Sequence, residues 1–151
     1  MLESKITALD AIAVPTAVLP KSNALSSPTT AVIPSNTFKV ITRDVCPASS
    51  GTPETLYTVQ SGSTVVVLGM TLANVHTSQV TASVTLVSTT TQTSQTQNTT
   101  AHIVKDIPLP VGSTVEIMAG NKIVLNVGDI IKIDCSVADK VSATMSYMEI
   151  T

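Results

Sequence analysis

Residues 109–134 read LPVGSTVEIMAGNKIVLNVGDIIKID, and this stretch decides the fold expected for the chain. Apolar and polar residues alternate in three short segments, and breaks at residues 119–121 and 128–129 separate the segments. Successive side chains of a strand face opposite sides of its sheet, so a period of two with glycine-centred breaks predicts antiparallel strands joined by turns.

The same pattern continues outward through the rest of residues 38–151. About nine short strands in residues 38–151 predict an all-β fold, an antiparallel β-sandwich or jelly-roll-like domain, and argue against an α/β protein. In residues 64–74, unbroken alternation predicts one face made of Val66, Leu68, Met70 and Leu72. The expected strands are residues 38–44, 55–60, 64–74, 80–89, 101–106, 113–118, 122–127, 130–137 and 142–150.

The composition narrows the class of protein. Hydrophobic residues make up 43% of the chain, but only 12% of residues are charged and 2% are aromatic, whereas an average protein has about 25% charged residues. A surface with so little charge is better suited to an assembly than to a free, concentrated protein. The net charge of −2 and the scattered basic residues predict no nucleic-acid binding. The most apolar run is too short for a membrane span, which needs about 20 residues.

Residues 1–37 differ from the rest because Pro15, Pro20, Pro28 and Pro34 interrupt them. Regularly spaced prolines exclude a long helix or a central strand. A disordered tail is one interpretation, but the segment contains more aliphatic side chains than a solvated tail favours. We therefore expect an extended N-terminal arm that lies against a neighbouring subunit, followed by a sandwich domain in residues 38–151. The expected partner-binding residues of the arm are Ile6, Leu9, Ile12, Val14, Val18, Leu19, Leu25, Val32 and Ile33.

Residue types that carry chemistry are few and scattered. Cys46 and Cys135 are interpreted as free, buried thiols, and His76 and His102 occur without metal-ligand spacing. Asp129 follows a turn glycine, where a carboxylate is expected to bind backbone amides. The sequence predicts no enzymatic activity, no catalytic or metal site and no cofactor, although a calcium site built from acids on neighbouring strands stays an alternative.

Residues 88–100 read STTTQTSQTQNTT and contain neither charge nor large apolar side chains. Such a segment cannot bury enough apolar surface to pack, so it predicts a projecting loop or an extended hairpin tip. Two interpretations stay open. The loop is either a tolerated insertion or a tip that contacts a receptor or glycan.

Residues 56–150 resemble small β-sandwich virion proteins of tailed bacteriophages, especially phages of cyanobacteria. The resemblance rests on short motifs joined by strands, and the amino-terminal arm lies outside it. The matching positions are Leu72, Ala73 and Asn74; Pro110, Val111 and Gly112; Lys122, Ile123, Val124 and Leu125; Gly128 and Asp129; and Ser146, Tyr147, Met148, Glu149 and Ile150.

This resemblance implies a non-enzymatic structural role in a virion. We expect a capsid decoration (cement) subunit anchored by its arm, with a tail, neck, baseplate or fibre protein as the alternative, and a receptor- or glycan-binding module as another. The expected partners are other copies of the chain and other virion proteins, such as major capsid or tail proteins, with no nucleic acid and no membrane. We expect synthesis in the host cytoplasm and a final location in the virion.

Overall fold

A computed structural model describes residues 33–89, 99–118 and 120–151. The described residues form strands and turns without a helix, so the all-β prediction is confirmed. Each of the nine expected strands is present. Their bounds are β1 Asn36–Cys46, β2 Glu54–Thr58, β3 Thr64–Asn74, β4 Val80–Val87, β5 Thr100–Leu109, β6 Thr114–Glu116, β7 Ile123–Leu125, β8 Ile130–Cys135 and β9 Val141–Ile150.

The strands form two antiparallel sheets. Sheet A has the order β1-β9-β3-β6, with β7 also paired to β3, and sheet B has the order β2-β8-β4-β5. Because β6 and β7 pair with different parts of the same β3 edge, they act as one interrupted strand. The pairs β1–β9, β2–β8, β3–β6/β7 and β4–β5 are those of a long antiparallel hairpin rolled into two sheets, which is a jelly roll.

The core lies between the sheets and consists of aliphatic side chains and methionines. Leu72, Ile131 and Met145 have no exposed surface, and Met70 is only 1% exposed. Aliphatic alternation on both inner faces explains this core, since inward residues of β9 such as Ala143 and Met145 alternate with outward Ser142 and Thr144. The chain has a single phenylalanine, and that residue is not part of the core.

One feature of β3 differs from the prediction. The alternation in this strand breaks at Leu68, where a bulge shifts the register with β9 between Val67 and Gly69. Val65 and Val67 face the core before the bulge, whereas Met70 and Leu72 face it afterwards. The prediction that Val66, Leu68, Met70 and Leu72 share one face was therefore wrong, because a bulge inserts an extra residue, and the isolated Gly69 that often accompanies a bulge was not interpreted as its sign.

The turn between β7 and β8 shows why its sequence reads Gly128-Asp129. Gly128 has a φ of +85°, a conformation that glycine adopts without steric cost. The buried Asp129 carboxylate accepts hydrogen bonds from the backbone N–H of Asn126 at 2.9 Å and of Thr89 at 2.7 Å. The expected backbone-binding role of Asp129 is confirmed, and its carboxylate also fixes the end of the β4 connection.

No helix in the described part of the chain is long and apolar enough to cross a membrane.

Candidate interaction surface

A row of apolar side chains crosses the solvent-facing side of sheet A. Phe38 on β1 pairs with Met148 on β9, Met148 pairs with Val66 on β3, and Val66 pairs with Val124 on β7. Directly paired residues point to the same side of a sheet, so these four side chains form a continuous line, here called the outer row. Phe38 is 74% exposed and Val124 is 57% exposed, and the chain's only phenylalanine is thus at the surface.

The outward residues of β9 and β3 around the outer row are uncharged, and Glu116 of β6, which pairs with the outward Thr71, adds one charge at the border of the outer face of sheet A. Val40, which is 63% exposed, extends the apolar strip along β1. On the two central strands, every outward residue that alternates with a buried one is uncharged. These residues are Ser142, Thr144, Ser146, Met148 and Ile150 on β9, and Thr64, Val66, Gly69, Thr71 and Ala73 on β3. A contiguous apolar patch of this kind is typical of an interaction site.

The solvent-facing side of sheet B has a different chemistry. Its corresponding row consists of Thr55 on β2, Lys132 on β8, Thr85 on β4 and His102 on β5, which pair directly with one another. This row is polar, and its Thr85 is only 5% exposed. The neighbouring row on the same side joins Thr58, Ile130, Val87 and Thr100, so it contains two apolar side chains. The corresponding rows of the two sheets therefore differ, because the row of sheet A is apolar and strongly exposed and the row of sheet B is polar.

Strand β1 forms an edge of sheet A, and inward-pointing charges protect this edge. Lys39 forms an ion pair with Glu149, which raises the pKa of the lysine through their hydrogen bond. Arg43 lies 3.5 Å from the Glu54 carboxylate and donates to the Thr55 carbonyl oxygen. Inward charges hinder pairing of an edge with another chain. On sheet A, the outer face is therefore a better candidate for an interaction surface than the free edge.

A polar cleft of about 210 Å³ lies on the side of sheet B, beside a bulge in β5. Asp106 has a φ of +48°. Its carboxylate accepts a hydrogen bond from the Ser83 hydroxyl at 3.1 Å, and its backbone N–H donates to the Ser83 hydroxyl oxygen at 2.9 Å. Asp134 accepts from the Gly51 N–H at 3.0 Å. The Asp134 carboxylate thus stabilises the residue 48–52 loop, whereas the Asp106 carboxylate binds the Ser83 hydroxyl, which also accepts the N–H of the bulge.

The two thiols of the core favour their protonated forms. Burial raises the pKa of Cys46 to about 11 and also raises the pKa of Cys135. Both cysteines are free and buried, as the sequence predicted. A thiol with so high a pKa is protonated at neutral pH, and a nucleophilic cysteine needs the thiolate. Within the described ranges, no three His, Cys, Asp or Glu side chains converge to hold a metal ion.

The two tyrosines connect the sheets at one end of the sandwich. Tyr57 of β2 and Tyr147 of β9 have ring centroids 4.8 Å apart at an interplanar angle of 47°. Burial is the largest cause that raises the pKa of Tyr57, followed by the nearby Tyr147. A tilted ring pair of this kind contributes about 0.5–1.5 kcal/mol beyond area burial, so the pair is a structural contact between the sheets.

The predicted arm contacts fall almost entirely on residues that the structure does not describe. Eight of them, Ile6, Leu9, Ile12, Val14, Val18, Leu19, Leu25 and Val32, lie outside the described residues. Ile33 is described and is 85% exposed, three residues before β1 begins. Residues 90–98 of the predicted loop also lie outside the described residues, and the described residues on either side place that loop between β4 and β5.

The sequence analysis missed the outer row. Phe38 and Val40 recur at a spacing of two on one strand, and that signal was readable. The pairing of β1 with β9 and of β9 with β3 brings together residues 67 to 114 positions apart, and no local pattern contains that information.

The motifs behind the phage resemblance have structural roles in this fold. The Asn74 side chain donates to the carbonyl oxygens of Leu109 at 2.8 Å and Pro110 at 3.1 Å, so two of the matching motifs contact each other directly. Gly112 has a φ of +65° in the turn that follows. Part of the resemblance therefore rests on residues that build turns, and two of its positions, Val124 and Met148, belong to the outer row.

Comparisons with known proteins add no further assignment. No protein-family model, no curated protein and no solved structure matches this chain.

Proposed function

We propose that this chain is a non-enzymatic structural subunit of a bacteriophage virion, a capsid decoration (cement) protein that acts through protein–protein contacts. The observation that carries the proposal is the difference between the two outer faces of one sandwich. The outer face of sheet A presents an exposed apolar row, and the corresponding row of sheet B is polar. An enzyme or a ligand carrier concentrates its specific groups in a cleft, whereas an assembly subunit needs one surface that favours burial.

The remaining parts of the molecule support the same role. The thiols of Cys46 and Cys135 have a raised pKa and stay protonated at neutral pH, and the cleft carboxylates accept from the Gly51 N–H and the Ser83 hydroxyl. A jelly roll is a fold that viral capsid proteins use, although lectins and cupins share it, so the fold agrees with a structural role without specifying one. The resemblance of residues 56–150 to virion proteins supplies the phage context, and the aliphatic arm supplies an anchor for other virion proteins.

The test is the location of the chain in purified particles. Particles of the phage that encodes the chain should contain it in many copies, measured by quantitative mass spectrometry after density-gradient purification. Low-resolution electron microscopy with an antibody label should place it on the capsid surface. A label on the tail, neck or baseplate would contradict the decoration role and favour a tail component, and absence from particles would contradict the virion role altogether.

A matched pair of variants connects this test to the surface. Phe38→Ser removes the most exposed side chain of the outer row, and Val111→Ser removes an exposed valine of the turn between β5 and β6, outside the outer row. Incorporation should fall severalfold for Phe38→Ser and stay unchanged for Val111→Ser. Equal incorporation of both variants would contradict a role for the outer face.

A further inference from the structure

We propose that Cys46 and Cys135 form a redox site, at which a small-molecule disulfide oxidises the two thiols to an intramolecular disulfide that joins sheet A to sheet B. Cys135 reacts first, and Cys46 completes the bond. This inference goes beyond the proposed function, because it concerns the interior of the sandwich and applies to the chain in any assembly.

The two cysteines lie at the same end of the sandwich, one in each sheet. Cys46 is the last residue of β1 in sheet A, and Cys135 is the last residue of β8 in sheet B. Both belong to the core, with exposures of 1% and 3%. Cα atoms of β1 and β8 approach within 8 Å, and Cys135 is close enough to act electrostatically on Cys46. A disulfide that links the two sheets of a sandwich is made by cysteines placed in this way, with Cα atoms about 4.4–6.8 Å apart.

Hydrogen bonds hold the segments that follow the two cysteines against each other. Pro47, which directly follows Cys46, accepts at its carbonyl oxygen from the Asp139 N–H at 2.8 Å. The Ser50 hydroxyl donates to the carbonyl oxygen of Ser136, the residue after Cys135, at 2.9 Å. These contacts fix the backbone on both sides of the pair. Groups held close together in this way react with each other faster than with a partner from solution.

The surroundings of the two thiols differ, and the difference sets the order of reaction. Cys135 is one of the residues that line the polar cleft of about 210 Å³. Burial raises the pKa of its thiol, but hydrogen bonding by the backbone of Val137 and by Ser136 acts in the opposite direction, because it stabilises the thiolate. The Cys46 thiol instead donates to the Val141 carbonyl oxygen at 3.4 Å, which favours its protonated form. Cys135 is therefore the thiol that attacks first, since the thiolate is the nucleophile.

The reaction is a thiol–disulfide exchange in two steps. The Cys135 thiolate attacks one sulfur of the small-molecule disulfide and forms a mixed disulfide, and the released small thiolate takes up the proton that the cysteine lost. Cys46 then loses its proton and attacks the Cys135 sulfur, and the second small thiol leaves with that proton. Two protein thiols are oxidised and one small-molecule disulfide is reduced to two thiols, so no other electron acceptor is needed.

The bond changes the stability of the fold with the redox state of its surroundings. A cross-link between residues 46 and 135 closes a long loop and removes conformational freedom from the unfolded chain. Glutathione keeps thiols reduced in a cytoplasm, whereas disulfides persist in oxidising surroundings. The thiols therefore stay free where the chain is made, and the bond forms once the chain meets an oxidising environment.

The test uses the full-length chain, refolded from urea either with reduced or with oxidised glutathione, so that burial does not hide the thiols from the reagent. After oxidation, alkylation under denaturing conditions should label neither cysteine. Tryptic peptides 44–105 and 133–140 should be joined in mass spectrometry without reductant. The melting temperature should rise by about 10 °C relative to the reduced chain, as expected for a cross-link over a long loop.

Two variants serve as controls and test the order of reaction. Cys46→Ala and Cys135→Ala each leave one thiol, so each should melt at the same temperature under the two conditions. The folded Cys46→Ala chain should gain one glutathione on Cys135 at least about fivefold faster than the folded Cys135→Ala chain gains one on Cys46, because only Cys135 has hydrogen bonds that stabilise a thiolate. Each comparison is made within one variant or by rate, so a loss of packing does not affect it.

Four outcomes overturn the inference. Two free thiols after refolding with oxidised glutathione, or a disulfide that forms between chains, would exclude an intramolecular bond. An intramolecular disulfide without a rise in melting temperature would contradict the link between the sheets as a stabilising one. Faster glutathione addition at Cys46 would contradict the order of reaction.

Discussion

The side-chain amide of Asn74 donates a hydrogen bond of 2.8 Å to the carbonyl oxygen of Leu109, across from the end of β3 to the end of β5. The same amide donates to the Ser78 carbonyl at 2.9 Å, and the Asn74 carbonyl oxygen accepts from the His76 N–H at 2.7 Å. Asn74 is 4% exposed. One buried polar side chain therefore fixes two connections, residues 75–79 and residues 110–113, at the same end of the sandwich.

We expect Asn74→Ala to destabilise the fold by about 2–4 kcal/mol, because buried acceptors left unsatisfied cost about 1–3 kcal/mol each in addition to the lost bonds. Urea unfolding followed by circular dichroism measures this change. Asn121→Ala, at an exposed asparagine, is the control and should change stability by less than about 0.5 kcal/mol. Similar losses for both variants would show that the Asn74 contacts contribute little.

The sequence pattern predicted the strands, but it did not predict the register within β3 or the pairing of strands in the sheets. Alternation identified each strand because an inward aliphatic side chain and an outward polar one occur in turn, as in Ala143 and Thr144 of β9. It failed at Leu68 because a bulge adds a residue without changing composition. It also missed the outer row, because the meeting of Phe38 with Met148 depends on sheet order, which is a property of the whole chain. The expected contacts of residues 1–32 stay predictions.

The bulge at Leu68 leads to a paired stability prediction. Leu72 has no exposed surface, whereas Leu68 is half-buried. Leu72→Ala should cost about 3–5 kcal/mol, as expected for a buried leucine replaced by alanine, and Leu68→Ala about 1 kcal/mol or less. The unbroken alternation read from the sequence predicts equal losses. Equal losses in urea unfolding would therefore favour that register and contradict the bulge.

The buried thiols predict a loss of stability at alkaline pH. Burial raises the pKa of Cys46 from 9.0 to about 11, so between these values the unfolded chain releases a proton that the folded chain keeps. Stability therefore falls as pH rises from about 9 to about 11 and is unaffected by this group below that window. Burial raises the pKa of Cys135 and Tyr57 as well, which acts in the same direction.

Urea unfolding of the wild-type chain and of Cys46→Ala at pH 8, 9, 10 and 11 tests this prediction. The variant starts from lower stability, because it lacks a buried side chain, but its stability should decline less steeply with pH. The comparison uses the slope, so the change in packing does not affect it. Parallel declines in the two proteins would show that Cys46 does not contribute to the alkaline loss.

The inward charges of β1 lead to a prediction about aggregation. Lys39 and Arg43 pair with Glu149 and Glu54 on the inner side of the edge strand. The double variant Lys39→Thr/Arg43→Thr removes both charges and leaves a strand-forming edge that another chain can extend. We expect thioflavin-positive aggregates at concentrations where the wild-type chain stays clear. Lys122→Thr/Lys140→Thr removes the same amount of charge away from that edge and should stay clear. If both variants aggregate, the loss of net charge explains the effect. If neither variant aggregates, the edge is protected by other means, such as the bulge between Arg43 and Cys46.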